Sequence, residues 1–217
     1  MIGNSKERKI YPALVIHSTD NSFGFGLRKN NNVESDEIFI KKFDNDLCKN
    51  LISDFNQFIS KDNLRKVNKI AVSIGPANFN ASRLIVVLAR TISQQINCPL
   101  DSFSSFKIMA KRIASENNIF TNKQSFWIYK KLKRKGFIAG KYEICHNKEN
   151  NADLFVRERV TPKVVQDFER KGLFFEANYE DKLDLTELLD LSNENSLNAN
   201  VNSWQKVLPL YPISPIN

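Results

Sequence analysis

Apolar and polar positions alternate through the first 60 residues in a pattern that predicts a hairpin, a third strand and a helix. The run YPALVIHS at residues 11–18 is continuously apolar before its polar end, which is typical of a buried central strand. After the turn residues TDN, Phe23, Phe25 and Leu27 recur at a period of two and predict a second strand paired with the first. DEIFIKKF predicts a third, shorter strand. Apolar residues then fall at helical spacing, namely Leu47, Leu51, Ile52, Phe55, Phe58 and Ile59.

The next segment predicts one more buried strand and two helices. The strand is VNKIAVSIG at residues 67–75, and a helix over residues 81–96 follows a Gly-Pro turn. Apolar side chains cover most of this helix, which is typical of a helix at the centre of a core or in an interface. SFSSFKIMAKRIASEN predicts a second helix with a serine cap. The order β-β-β-α-β-α-α predicts a mixed α/β sheet covered by helices.

The second half of the chain predicts a further set of strands. SFWIYKKLKRKGFIAGKYEIC indicates two strands around a basic turn, and ADLFVRERV and LFFEA indicate two more. TPKVVQDFERKG predicts a short helix, because it has threonine as a cap, proline at the first helical position and glycine at the end. We also expect a helix over residues 183–191 and an extended tail from residue 204. Two lobes that exchange elements near residues 100–120 fit this order, and we find no internal repeat.

The composition indicates the broad class of the protein but does not indicate what chemistry it performs. The 217 residues are 41% hydrophobic, which is enough for a core, and the net charge of +8 favours an anionic partner or only a soluble basic surface. The longest apolar run, residues 84–89, is far shorter than the roughly 20 residues that span a bilayer. With no signal-type segment, we expect a cytoplasmic protein that does not contact a membrane. Three scattered cysteines indicate buried structural thiols.

The Gly-Pro turn is the first candidate site. A strand, a tight turn and a helix start direct backbone N–H groups at one point, which attracts phosphate. GPANFNASR contains one glycine, Gly75, and Pro76 removes a donor. Asn78 or Asn80 can cap the helix, and Arg83 can pair with an anion. From the residues alone, the turn is either a phosphate site or a capped strand-to-helix turn.

The end of the first strand lacks the group that phosphotransfer needs. A phosphotransferase of the actin or sugar-kinase kind places a carboxylate there to hold a metal, whereas this chain has His17, and Asp20 lies in the turn. We therefore expect His17 to be structural. No Walker or dinucleotide motif is present, and two histidines are too few to support a metal site or a protease triad. We predict no catalytic residue, no metal and no cofactor.

A basic run in the second half is the other candidate. Residues 123–142 contain no acid, and aromatic residues lie among the cations. Such a patch could neutralise the phosphates of an RNA backbone, or it could be a solvated hairpin turn. The candidate RNA contacts are Lys131, Lys133, Arg134 and Lys135.

Residues 67–110 resemble the bacterial TsaB (YeaZ) family, in which a strand leads through Gly-Pro-Gly-Ser-Phe-Thr-Gly-x-Arg into an apolar helix. The matching positions are Gly75, Pro76, Phe79 and Arg83, and the departures are Ala77, Asn78, Asn80 and Ala81. ALVIHSTDNSFGFGL resembles the Ile-Asp-Thr-Ser start of the family, with His17 in place of Asp. KRKGFIAGKYE resembles the family's Arg-Arg-Gly-Glu-Val-Tyr-Ala segment, with Phe137 in place of Glu, and VLPLYPISP resembles its Pro-x-Tyr ending.

The resemblance implies an actin-like, Hsp70-like ATPase fold (ribonuclease H-like) in two lobes. We expect a first lobe over residues 1–104 and a second, reduced lobe over residues 105–217. It further implies a non-catalytic subunit that pairs with a TsaD-type catalytic paralogue and, with a TsaE-type ATPase, modifies tRNA with a threonylcarbamoyl group on adenosine. Contact with tRNA would be indirect. The first lobe's helices would form the heterodimer or homodimer interface, with Leu84, Val87, Leu88 and Thr91 as its candidate residues.

The departures imply a vestigial phosphate turn. His17 stands where the family has a metal-binding carboxylate, and Ala77 and Ala81 stand where it has glycines. The chain therefore lacks the metal ligand, and its backbone cannot approach a phosphate as closely. We expect Phe79 to insert into the lobe core and Arg83 to order the turn. Two other functions stay open: a stand-alone actin-like ATP-binding phosphotransferase, and an RNA-binding module that uses the basic hairpin.

Overall fold

The strands group into two sheets, one from each half of the chain. A computed structural model describes residues 12–30, 32–43, 47–132, 136–146, 154–166, 172–194 and 201–212. The first sheet contains β1 (Ala13–Ser18), β2 (Ser22–Arg28), β3 (Glu37–Lys42), β4 (Lys69–Ser73) and β5 (Leu100–Phe103). The second contains β6 (Ser125–Lys131), β7 (Phe137–His146), β8 (Leu154–Val165) and β9 (Leu173–Glu176). The α-helices are α1 (Leu47–Phe58), α2 (Lys61–Leu64), α3 (Phe79–Ile96), α4 (Ser105–Glu116) and α5 (Asp181–Glu194).

The two sheets share one strand order. The first runs β3-β2-β1-β4-β5, with the first three strands antiparallel and β4 and β5 parallel to β1. The second runs β8-β7-β6-β9, with the first three antiparallel and β9 parallel to β6. The second sheet therefore repeats the first four positions of the first sheet. This repeat is one of topology and was not detectable as repeated residues.

Each sheet is packed against a helix that comes from the other half of the chain. Helix α4 follows β5 but packs against β7 and β8 of the second sheet. Helix α5 follows β9 but packs against β1, β2 and β4 of the first sheet. This exchange agrees with the element order predicted near residues 100–120. The boundary at residue 104 stays a prediction, and α5 shows that packing does not follow the linear division of the chain.

Strand β1 is apolar throughout because it is covered on both faces. Leu14 and Ile16 belong to a core with α1 and α3, and Ala13 and Val15 belong to a second cluster with α5. Both faces of the strand are buried, which removes the alternation of polar residues that a half-exposed strand shows. The second sheet has its own core, built with α4.

Three predictions about elements need correction. Strand β5 was not predicted, because four residues ending in Ser102 and Phe103 show little periodicity. The helix predicted from Thr161 is wrong, since residues 161–165 complete β8 at the sheet edge. Pro162 lies opposite a register shift in β7, where a missing backbone donor is tolerated. The tail begins with a 3₁₀ helix, Val201–Lys206, before it becomes extended. None of the helices described is long and apolar enough to cross a membrane.

Candidate functional site

Three helices begin at the edge of the first sheet where its parallel strands end. Helices α3 and α4 follow strands β4 and β5 of the first sheet. Helix α5 follows β9 of the second sheet, and its first residue, Asp181, bonds to Ser22 at the start of β2. Open α/β sheets bind ligands at such an edge, because helix N-termini present free N–H groups there. A cleft of about 690 Å³ lies beside it, lined by Thr19, Asp20, Asn21, Ser22, Lys42, Phe43, Ala177, Asn178, Tyr179 and Asp181.

The Gly-Pro turn is buried and closed by the chain itself. Gly75 has φ of +100°, a conformation that favours glycine, and its carbonyl accepts a hydrogen bond from the Ser105 amide at 2.7 Å. The Tyr179 hydroxyl donates to the Pro76 carbonyl. A Cβ on Gly75 would lie 3.4 Å from the Leu210 carbonyl oxygen. Protein atoms therefore pack against this turn and occupy the carbonyl groups of Gly75 and Pro76.

Asn78 performs the capping that the sequence predicted for Asn78 or Asn80. Its Oδ1 accepts from the Ala81 amide at 3.1 Å, and its own amide donates to the Thr19 carbonyl at 3.3 Å. Asn80 is exposed on the first turn of α3. The cap consumes a helix-end donor and ties the turn to the β1–β2 hairpin, which supports the capped-turn interpretation.

Phe79 does not enter the core, so that expectation is wrong. Its ring is 37% exposed and lies 5.0 Å, centroid to centroid, from the ring of Tyr211. The Arg83 guanidinium stands 5.6 Å from the Phe79 ring centre. The C-terminal segment supplies an aromatic partner outside the lobe, where its Leu210 amide donates to the Ile74 carbonyl at 2.7 Å.

His17 lies in a buried charged cluster. It is 2% exposed, and its Nε2 is 3.9 Å from Oδ2 of Asp184, which is 1% exposed. Neither ring nitrogen makes a hydrogen bond, and burial lowers the pKa of His17 to about 4, against a weaker opposing effect of Asp181. Burial raises the pKa of Asp184 to about 6, although the Glu180 amide and Arg112 pull it down. His17 is therefore a neutral base at pH 7, without a hydrogen-bonded nucleophile.

The start of α5 carries its own anions. Asp184 Oδ2 accepts from the Glu180 amide at 3.0 Å, and Arg112 lies 3.3 Å from Oδ1. Asp181 accepts from the Ser22 hydroxyl at 2.6 Å. These carboxylates neutralise the positive helix end, so a phosphate would meet negative charge there. Among the described residues, no group of three or more His, Cys, Asp or Glu side chains could hold a metal ion.

The predicted interface residues on α3 do not share one environment. Val87 is 59% exposed and Thr91 is exposed, whereas Leu84 is half-buried against the core. Leu88 is 8% exposed and belongs to the core of the first lobe. An interface on α3 would therefore be centred on Val87.

Only one of the four predicted RNA contacts lies in the part of the chain that the structure describes. Lys131 is exposed at the end of β6, and Lys133, Arg134 and Lys135 lie outside the described residues. Lys130 points to the cleft instead, where it pairs with Asp20 and lies 5.4 Å from the Tyr179 ring centre.

Comparison with known proteins identifies the fold. No protein-family model and no curated protein sequence matches the chain. An uncharacterized Pseudomonas aeruginosa protein with similarity to peptidase YeaZ superposes with a TM-score of 0.68 at 12% identity, over 94% of this chain and 100% of that one. YeaZ from Pseudomonas aeruginosa gives 0.65 at 12% identity, over 93% and 100%. The chain has the YeaZ fold. The prediction of a two-lobed, actin-like α/β fold is confirmed.

Within this YeaZ fold, residue patterns located the turn but not what closes it. Arg112 and Asp184 are 72 positions apart and meet through the exchange of α4 and α5. Tyr179 and Tyr211 reach the turn from the second lobe and the C-terminal segment. Arg112, Tyr179 and Asp184 belong to no local motif, and Tyr211 belongs only to the Pro-x-Tyr ending, which does not indicate what it contacts, so only the fold brings these residues together.

Proposed function

We propose that this protein is a non-catalytic scaffold subunit of a tRNA threonylcarbamoyladenosine modification complex. In this function it supports a TsaD-type paralogue, which performs the catalysis, together with a TsaE-type ATPase. Its contact with tRNA is indirect. The likeness to YeaZ over at least 93% of this chain and 100% of each neighbour supports this assignment at the level of the fold.

The absence of a carboxylate at the end of β1 is the observation that carries the non-catalytic part of the proposal. A stand-alone phosphotransferase needs a carboxylate at the end of β1 to hold Mg²⁺, and neutral, buried His17 occupies that position. The Asp184–Arg112 pair lies beside it, and Ser105 and Tyr179 occupy the carbonyls of the Gly-Pro turn. This arrangement favours a scaffold over an ATPase.

The same cluster weighs against a peptidase activity, which the description of one YeaZ-like neighbour mentions. A serine or cysteine peptidase needs a histidine that is hydrogen-bonded to its nucleophile and oriented by a third group. His17 makes no hydrogen bond to a hydroxyl or thiol. His146 bonds to the Phe120 carbonyl through Nε2, at the end of β7.

Reconstitution tests the proposal. The chain is coexpressed with a tagged TsaD-type protein, and threonylcarbamoyladenosine in tRNA is measured with the complete set and with this chain omitted. We expect copurification, and loss of the modification on omission. Full modification without the chain would contradict the scaffold function.

Calorimetry of the isolated chain separates the scaffold from an ATPase. Titration with ATP and Mg²⁺ should give no micromolar binding, because the end of β1 carries His17 in place of the carboxylate that would hold the metal. The TsaD-type protein under the same conditions provides the positive control. Micromolar binding by this chain would favour the stand-alone enzyme.

A further inference from the structure

The outer edge of β3 differs from the other three sheet edges in the part of the chain that the structure describes. Proteins protect edge strands by keeping them short, by covering them, or with proline and bulges. Strands β5 and β9 have four residues each, and the 3₁₀ helix Val201–Lys206 packs against β5. Strand β8 contains Pro162 and pairs with β7 through register shifts. Strand β3 has six residues, no proline or glycine, and an unbroken register with β2.

Alternate residues of β3 direct their backbone groups away from the sheet. The Phe43 amide donates to the Asn21 carbonyl at 2.7 Å, which makes these two residues a hydrogen-bonded pair of the β2–β3 ladder. Hydrogen-bonded and non-hydrogen-bonded pairs alternate along an antiparallel ladder. The odd-numbered residues of β3 therefore bond to β2. The even-numbered residues present their N–H and C=O groups at the outer edge, namely Ile38, Ile40 and Lys42.

The residues of β3 are complementary to those of a second β3 in one antiparallel register. A two-fold axis at Phe39 places this residue opposite Phe39 of the second copy. Ile38 then lies opposite Ile40 of the second copy, and both carry outward backbone groups that can bond to each other. Glu37 lies opposite Lys41, so opposite charges meet at both ends of the pairing.

Other registers that keep the backbone bonding lose this match. An axis at Ile40 places Phe39 opposite Lys41 of the second copy. An axis at Ile38 places Glu37 opposite Phe39. An apolar ring then faces a charge, and the attraction between opposite charges is lost. The sequence of β3 therefore specifies the register centred on Phe39.

The charges of β3 have partners within the chain that are compatible with this pairing. Glu37 pairs with exposed Lys29, and the Lys41 ammonium lies 2.9 Å from the Asp54 carboxylate. An ammonium has three donors and a carboxylate has two acceptor oxygens, so each can serve a second partner. Across the pairing, Lys29, Glu37, Lys41 and Asp54 alternate in sign. Against an unrelated strand the same charges lack this match, which favours a second copy as the occupant.

We propose that the outer edge of β3 binds a second copy of this chain. Two copies then join their five-stranded sheets through an antiparallel β3–β3 pairing. Six residues on each side form a small interface, so we expect a reversible dimer with a Kd on the order of 10 µM.

This inference goes beyond the scaffold function and does not rest on it. Helix α3, which carries the predicted partner interface, packs against β1, β4 and β5, whereas β3 is the strand at the opposite edge. A chain that fails to dimerise would leave the reconstitution result unaffected. Failure of the reconstitution would leave the β3 edge unchanged.

Sedimentation velocity of the isolated chain measures the dimer. We expect a species of twice the 25.0 kDa mass of one chain to increase with concentration. Ile40→Pro removes an outward N–H group without removing a bond to β2, and Ile40→Ala truncates the same side chain but keeps the amide. The proline variant should dimerise about 5- to 150-fold more weakly than the alanine variant, which corresponds to ~1–3 kcal/mol for the two amides lost by symmetry.

A charge variant tests the register. Glu37→Lys places like charges opposite each other at both ends and should weaken the dimer about 5- to 30-fold, or ~1–2 kcal/mol. Asp62→Lys makes the same change of charge on exposed α2 and should stay within about twofold of the parent chain. Equal weakening by the two variants would mean that net charge alone controls association, and it would overturn the proposal.

A crosslink tests the pairing itself. Glu37→Cys and Lys41→Cys chains, once mixed and oxidised, should form a disulfide-linked dimer, because opposite residues of a non-hydrogen-bonded pair have Cα atoms about 4.5 Å apart. Either variant alone should crosslink no more than the parent chain, which has three cysteines of its own. Circular dichroism verifies that each variant is folded. Equal crosslinking of the single variants and the mixture would overturn the proposal.

Two further outcomes reject the β3 dimer. A parent chain that stays monomeric at about 100 µM has no dimer of the expected strength. Val87→Asp changes α3 and should dimerise like the parent chain. A dimer that Val87→Asp abolishes, and that binds equally well with Ile40→Pro and Ile40→Ala, would lie at α3 instead.

Discussion

The buried residues His17 and Asp184 should affect the pH dependence of stability in opposite directions. Replacing one of them should therefore reveal the effect of the other. The pKa of His17 falls from 6.5 to about 4 on folding, so the unfolded chain binds its proton first as the pH drops. Stability from this group is complete above pH 6.5 and is lost as the pH falls to 4. A pKa change of this size corresponds to about 3 kcal/mol.

Asp184 acts with the opposite sign over nearly the same range. Its pKa rises from 3.8 to about 6 on folding, so the folded chain takes up the proton first. The cost of the ionised carboxylate, again about 3 kcal/mol, is present above pH 6 and disappears as the pH falls to 3.8. In the parent chain the two effects therefore nearly cancel between pH 4 and 6.5.

Substitution of either residue should unmask the other. We expect the free energy of unfolding of the parent chain minus that of His17→Leu to fall by about 3 kcal/mol between pH 7 and 4. The same difference for Asp184→Asn should rise by about as much. Urea unfolding followed by circular dichroism at half-unit pH steps measures both, and groups common to the two chains cancel. Differences that stay constant with pH would refute the buried, neutral state of His17.

Three further predictions concern association and packing. Val87→Asp should abolish copurification with the TsaD-type partner while the monomer stays folded, because Val87 is 59% exposed on α3. Arg28→Gln should lower the free energy of unfolding by about 3–5 kcal/mol, because it leaves Asp36 buried without its partner at 2.6 Å. Gly24→Ala should cost about 1–3 kcal/mol, because its Cβ would lie 2.6 Å from the Phe39 carbonyl oxygen.

The first two of these predictions have a matched comparison, and the third has an outcome that would contradict it. Leu183→Asp places a charge at a site of similar exposure on α5, and equal loss of copurification there would argue against an interface on α3. Lys29→Gln removes an exposed ion pair with Glu37 and should cost under about 1 kcal/mol, so a loss as large as that of Arg28→Gln would mean that burial is not decisive. An unchanged melting temperature of Gly24→Ala would show that β3 shifts to admit a side chain.

Local patterns predicted most strands and helices because burial on one or both faces leaves a period in the sequence. The two-faced burial of β1 and the capped start of α3 at Asn78 are both visible in the residues. The helix predicted from Thr161 shows where local patterns fail. Its cap, proline and glycine satisfy every local rule for a helix, yet pairing with β7 holds residues 161–165 as strand.

The environment of Phe79 was predicted wrongly for a reason that no local pattern contains. Phe79 is apolar and follows a buried turn, so insertion into the core was the natural expectation. Tyr211 and Arg83 instead hold its ring at the surface, and Tyr211 reaches it from 132 positions later in the chain. The sequence can indicate that a side chain will be covered, but not which distant segment will cover it.

The exchange of α4 and α5 joins the two lobes beside the ligand edge. Each sheet is covered by a helix from the other half, so the two lobes are held together through the α4–α5 contact itself. Arg112 on α4 binds Asp184 on α5 at 3.3 Å, so an ion pair within the chain lies across this contact. Under the proposed scaffold function, this internal link keeps the two lobes joined without a bound nucleotide.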